Sequence, residues 1–220
     1  MTAGVNAVHR VAPLAALQDL SEAELAEVSR RESRMTHWSP ISQYCCAAFT
    51  LLCRRLLLRG VEKRPFDFED VVVSVSQDMQ SRGRMCDDSV SRELFLVPPD
   101  LKPCDKDTVD SVFESAARWA SRRTSHVDGA KERPKLSRGG FCVHSLEAAL
   151  FFVGSSDSFD AALRQSLEFA GPDNYCPVLV GALAGARFGA QAIPGRFLDG
   201  CREGVVGRCR RAAACLGEVR

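Results

Sequence analysis

Charge of one sign is missing: 29 Lys and Arg stand against 28 Asp and Glu in 220 residues, a formal net charge of +1. That balance excludes a strongly basic nucleic-acid binder and an acidic disordered tail. Aromatic residues are scarce at 7%, and β-branched residues cluster only at Val71–Val75, which favours helix over sheet. Long apolar runs are also missing. The stretch Pro177–Ala186 stops at Arg187, well short of the ~20 residues needed to cross a bilayer, so no membrane span is predicted. The first 20 residues carry no compact hydrophobic run with a small-residue cleavage site. This argues against a secretory leader and, with no other targeting signal, for a cytoplasmic protein. The chain has 10 Cys but no CxxC pair. Tetrahedral zinc needs closely spaced ligand pairs, so Cys45, Cys46 and Cys53 read as free thiols that pack as small hydrophobes in a reducing compartment.

What is present is helical patterning over a chain long enough for one domain that buries about 70% of its unfolded surface. Ser21 followed by Glu24 fits a capping box and opens a short amphipathic helix over 21–33. Ser39-Pro40 supplies an N-cap and a proline at the first helical position. A long helix to about Gly60 follows, with Ile41, Tyr44, Ala48, Leu52 and Leu56 at helical spacing. Cys45, Phe49, Cys53 and Leu57 widen its apolar stripe until only Arg54, Arg55 and Arg59 ask for water. Residues 61–81 are ambiguous between strand and helix, and the reading leans to helix.

A loop-rich insertion over about 83–107, with at most a short element at Arg92–Val97, precedes a helix over 108–122 and a solvated loop over 123–140 that ends in Gly139-Gly140. Leu146, Ala149, Leu150 and Val153 mark a helix over 143–153. Ser158 and Asp160 mark the capped start of another. The turn Gly171–Cys176 leads into a small-residue helix from Pro177 to Ala192. There Gly181, Gly185 and Gly189 recur every four residues, a pattern suited to close packing in a helical core. A last helix runs over Asp199–Leu216. The prediction is an all-α, single-domain fold over residues 1–220.

The segment Ser158–Pro194 resembles the ADP-ribosylglycohydrolase family, in which a capped helix runs into a Gly-Gly-Asp-x-Asp-Thr turn and then a Gly/Ala-rich helix ending in Ile-Pro. Three further stretches agree in the same order. Asn6–Leu14 resembles the family's Gly-Asn-Gly-x-x-Met-Arg-x-x-Pro-Leu loop, with glycines replaced at Val5 and Ala7. Thr36-His37-x-x-Pro40 resembles its Thr-His motif, and Phe141–Leu150 resembles the helix feeding the final turn. The resemblance implies the family's all-α fold and hydrolytic removal of ADP-ribose from modified proteins. It implies a pair of Mg²⁺ ions held by carboxylates from two distant acidic runs, which orient the ADP-ribose and help activate water. Hydrolysis at the anomeric carbon passes through an oxocarbenium-like state that carboxylates stabilise. The implied partner is ADP-ribose or an ADP-ribosylated protein.

By this resemblance Asp173 is a metal ligand, and Asn6 and His37 lie near the ADP-ribose, with Arg10 flanking a diphosphate-cradling loop. Each has a plainer reading: Asp173 as a helix cap, His37 as a structural hydrogen-bonding residue. The departures matter more. Tyr175 stands where the second Asp is expected and Cys176 where the Thr is expected, and Pro172 replaces a Gly. A neutral phenol and a neutral thiol are poor partners for a hard cation. The family's opening Gly-Asp segment and its Thr-Asp-Asp-Thr run have no counterpart. Cys86-Asp87-Asp88-Ser89 falls in the wrong order to replace that run and reads as a solvated loop. His9, His126 and His144 lack metal-ligand spacing and read as surface or packing residues. The expectation is therefore a degenerate member whose dimetal site is incomplete and whose hydrolysis is weak or absent. The alternatives are an inactive ADP-ribose-binding module and a structural remnant. The sequence assigns no catalytic residue.

Overall fold

The longest apolar helix lies at the centre of the fold. In the computed structural model, which describes residues 3–62, 66–85, 136–170, 175–201 and 204–218, nine helices form among the described residues and no strand does. They are α1 (Val8–Val11), α2 (Glu22–Arg34), α3 (Pro40–Glu62), α4 (Phe68–Met85), α5 (Cys142–Ser155), α6 (Phe159–Ala170), α7 (Cys176–Phe188), α8 (Gly195–Asp199) and α9 (Val205–Glu218). α3 touches α1, α2, α4, α5 and α7. Tyr44 to Cys53 and Leu56 are buried, which is why this helix is apolar nearly all round. Its segment Ile41–Gly60 is long and apolar enough to cross a membrane, yet most of it is buried inside the fold.

Local chemistry sets the helix starts. The Ser21 hydroxyl accepts from the Glu24 N–H at 3.3 Å, and the Glu24 carboxylate accepts from the Ser21 N–H at 2.9 Å. That reciprocal pair is the capping box expected for α2. Ser158 accepts from the Ala161 N–H at 3.2 Å and caps α6. The ambiguous segment after Gly60 resolves into α4, whose Val71, Val72, Val75 and Met79 are buried at helical spacing. α7 ends at Phe188, short of the expected Ala192. Gly189 takes φ +84°, and its N–H closes on the Gly185 carbonyl at 3.0 Å before a 3-10 turn at Ala190–Ala192. A positive φ stops the helix and suits glycine.

Three expectations are overturned. Arg54 does not reach water: it is 8% exposed, and its guanidinium donates to the carbonyls of Ala15, Leu17, Gln18 and Leu20. Its neighbour Arg55 joins three helices by pairing with Glu22 of α2 and Asp78 of α4, while Leu57, expected on the apolar stripe, is exposed. Gly181 and Gly185 are not close-packing positions, because a Cβ at either would meet no described atom within 4 Å. Finally, Gly140 is part of the fold rather than of a solvated loop. Its carbonyl accepts from the Val5 N–H and the Ala3 carbonyl accepts from the Cys142 N–H, each at 3.0 Å, which sets Gly4 opposite Phe141 in an antiparallel bridge.

Most of the predicted insertion, the element at Arg92–Val97, the 108–122 helix, Cys86–Ser89, His126 and the turn residues Gly171–Asn174, Asp173 among them, lie outside the described residues.

Candidate functional site

The bridge between Gly4 and Phe141 is where the separate motif stretches meet. From Gly4 the chain turns through a 3-10 turn at Val5–Ala7 into α1; from Phe141 it enters α5. Val5, Val8 and Val11 are buried and anchor the loop, while Asn6 between them is exposed. Counted back from Arg10, the loop pattern puts its two glycines on Gly4 and Asn6 and its asparagine on Val5, one residue away from the register taken from the sequence. The surroundings of Gly4 support this count. A Cβ there would stand 3.2 Å from Nε2 of His37, so the histidine ring occupies the space glycine leaves free.

His37 is held on several sides. Its N–H donates to the Ser33 carbonyl at 2.7 Å, its Nδ1 shares a 2.8 Å hydrogen bond with the Thr36 hydroxyl, and its Nε2 faces Gly4. Thr36 in turn accepts from Arg10 at 2.6 Å. Arg10 also donates to a carboxylate oxygen of Glu32 and, at 3.2 Å, to the Glu32 carbonyl. The guanidinium expected beside a diphosphate is thus a brace tying α1 to α2 and, through Thr36, to His37. The structural reading of His37 is visible directly, in a chain that runs Glu32, Arg10, Thr36, His37.

Against Gly140, next to Phe141 of the bridge, packs Tyr175, the residue that precedes α7. A Cβ at Gly140 would lie 3.2 Å from Cζ of the tyrosine and 3.4 Å from both Cε atoms. Near-equal distances to three ring carbons place the glycine over the face of the ring. The Tyr175 carbonyl accepts a 3.0 Å hydrogen bond from Nε2 of His9, which fixes the proton of that imidazole on Nε2, since a carbonyl can only accept. Burial lowers the pKa of His9, and the bond to Tyr175 partly opposes the shift, so the ring is neutral at pH 7. His144 sets its ring edge-on to Phe141, with centroids 5.1 Å apart. His9 and His144, expected as surface or packing residues, both pack at this seam.

Among the described residues, the donors do not fit a Mg²⁺ pair. Tyr175 offers a phenol. Cys176, at the start of α7, is buried, and burial pushes its thiol up to about 11, so it stays protonated at neutral pH. Among the described residues no three His, Cys, Asp or Glu side chains gather closely enough to hold a metal ion. The buried thiols of Cys46 and Cys53 are pushed up to about 12 by desolvation and are inert for the same reason; Cys45, Cys46, Cys53, Cys142, Cys176, Cys201 and Cys209 form no disulfide. The residues that sequence reasoning overlooked are Gly4, Gly140 and His9. A signal for two of them was present in glycines placed directly before apolar residues, Gly4 before Val5 and Gly140 before Phe141.

Comparison with known proteins bears on the family and the fold. The pattern defining the family named ADP-ribosylglycohydrolase matches residues 1–219. A solved structure described as "ADP-ribosylglycohydrolase-related protein complex" shares 22% identity with this chain and superposes with a TM-score of 0.64. The superposition takes in 98% of this chain but spans only 60% of the length of that one. A search of curated proteins found no match. On the family pattern, which runs from the Gly4 loop through both sides of the bridge to the last helix, the chain belongs to the ADP-ribosylglycohydrolase family.

Proposed function

We propose that this chain is an ADP-ribosylglycohydrolase-like protein that keeps the ADP-ribose side of the family's site and has lost most of its metal-dependent hydrolysis. The ancestral activity, by family, is Mg²⁺-dependent release of ADP-ribose from modified proteins. The observation that carries the reading is the pair Tyr175-Cys176, a phenol and a protonated buried thiol where the family has a carboxylate and a hydroxyl. Hard divalent cations take charged or strongly dipolar oxygen ligands, and neither residue supplies one at neutral pH. Asp173 is the one acidic residue of that turn that follows the pattern, and a single carboxylate does not seat two cations.

Binding has its own support. The Gly4 loop, His37 and the end of the late turn are drawn to one bridge, and Asn6 is exposed beside it. In this reading Asn6 and His37 line the ADP-ribose, and Asp173 at most caps α7 or holds one weakly bound cation. The test is release of ADP-ribose from a panel of ADP-ribosylated proteins in millimolar Mg²⁺, run beside a binding titration. The reading expects bound ADP-ribose with no more release than buffer gives. Multiple Mg²⁺-dependent turnovers would refute the loss of hydrolysis.

A further inference from the structure

The hydroxyl of Thr36 has two partners among the described residues, a guanidinium nitrogen of Arg10 at 2.6 Å and Nδ1 of His37 at 2.8 Å. A guanidinium donates and never accepts, so the Arg10 contact takes up a lone pair of the threonine oxygen. The single hydroxyl proton is left for the other partner, and Nδ1 of the neutral imidazole is then an acceptor. The ring carries its own proton on Nε2. Nε2 has no hydrogen-bond partner among the described residues, and it is the His37 atom nearest to a Cβ built on Gly4, at 3.2 Å.

Arg10 is itself held in place. It donates to a carboxylate oxygen and to the carbonyl of Glu32. The second carboxylate oxygen, Oε2, is buried with no hydrogen-bond partner among the described residues. Withdrawing the guanidinium would therefore leave a partly buried charge unpaired, which is costly.

From this geometry we infer that Thr36, oriented by Arg10, is a positioning residue that fixes His37 in the Nε2–H tautomer and presents it as a hydrogen-bond donor beside the Gly4 loop. A ligand atom that meets this edge must be an acceptor, an oxygen of the phosphate or hydroxyl kind, and the neutral ring does not act there as a base. The inference rests on the ADP-ribose-binding reading for the choice of ligand, and on Arg10, Thr36 and Gly4 for the place of the proton.

The experiment pairs two measurements on the full chain, with thermal melting as the control for folding. Nitrogen-15 magnetic resonance at about pH 8 reads the tautomer, with His37 assigned by the signals lost in His37→Ala. Calorimetry reads ADP-ribose affinity in wild type, Thr36→Ser, Thr36→Val, His37→Ala and the Thr36→Val/His37→Ala double variant. The expected result is a protonated Nε2 and a bare Nδ1 in wild type and in Thr36→Ser, which keeps the hydroxyl and should bind like wild type. Thr36→Val should weaken ADP-ribose by roughly three- to tenfold and cost nothing further once His37 is alanine. A bare Nε2 in the wild type overturns the inference, whether or not ADP-ribose binds. So does an equal loss from Thr36→Val in both backgrounds, which would make the threonine a general structural support. The Nε2–H tautomer without any ADP-ribose binding would leave the tautomer assignment standing and remove the ADP-ribose reading.

Discussion

Arg54 and Tyr175 mark two regions of one fold that treat polar groups in opposite ways. Around Arg54 everything is closed. The guanidinium is buried and surrounded by the carbonyls of Ala15, Leu17, Gln18 and Leu20, so the loop into α2 is wrapped around it. Around Tyr175 the backbone is held by His9 through its carbonyl, but the residue is left 37% exposed. The first region shows how the family fold persists without reference to chemistry. The second presents, at the start of α7, an aromatic ring and a buried thiol, the pair on which the proposed loss of hydrolysis rests.

If the Arg54 region is purely structural, Arg54→Met should cost about 3 kcal/mol of stability, because charge-assisted hydrogen bonds are lost and buried carbonyls are left unpaired. Denaturant unfolding measures this, and an ADP-ribose affinity unchanged at a temperature where the variant is folded would keep the two regions separate. Gly140→Val puts side-chain atoms where the ring lies at 3.2 Å from a Cβ position. Overpacking of this kind should cost about 1–3 kcal/mol of stability, read by denaturant unfolding. A smaller change is Ser21→Ala, which removes the cap of α2 and should cost about 1 kcal/mol with no effect on ligands.

The smallest effect expected is on the pH dependence of stability. The pKa of His9 is lowered in the folded chain, so below its unfolded value of about 6.5 the unfolded state takes up the proton first. Stability should then fall as pH drops from 6.5 towards the folded value. Glu147, whose pKa burial raises despite the opposing charge of His144, works the other way, gaining stability as pH falls through its raised value. The difference between wild type and His9→Gln isolates the histidine. The glutamine amide can still donate to the Tyr175 carbonyl but does not titrate, so its melting temperature should decline less between pH 7.5 and pH 5.5. Identical pH profiles would show that His9 is not held in the neutral form.

Much of the scaffold was legible in the sequence because it rests on local rules. The Ser21–Glu24 box, the apolar sweep of α3 and the Ser158 cap each depend on residues within a few positions of one another. What was not legible depends on distant partners. Periodicity assigns every arginine to solvent, and nothing near Arg54 in the chain announces a loop of carbonyls some 34 to 39 residues earlier. The glycine repeat of α7 looked like a packing stripe, yet Gly181 and Gly185 face open space among the described residues. The glycines that do matter, Gly4 and Gly140, follow no period. Each is required by a ring from elsewhere in the chain. The candidate site divided in the same way: the substitutions at Tyr175 and Cys176 could be read directly, whereas the seat of the tyrosine and its tether to His9 appear only in three dimensions.

The most direct test of the central claim is a calorimetric titration of the full chain with ADP-ribose, first in excess chelator and then in millimolar Mg²⁺, with product analysis of both samples. The account predicts the same affinity in the two buffers and intact ligand in each. Binding that appears only with Mg²⁺, or conversion of an ADP-ribosylated substrate that starts when the metal is added, would contradict it.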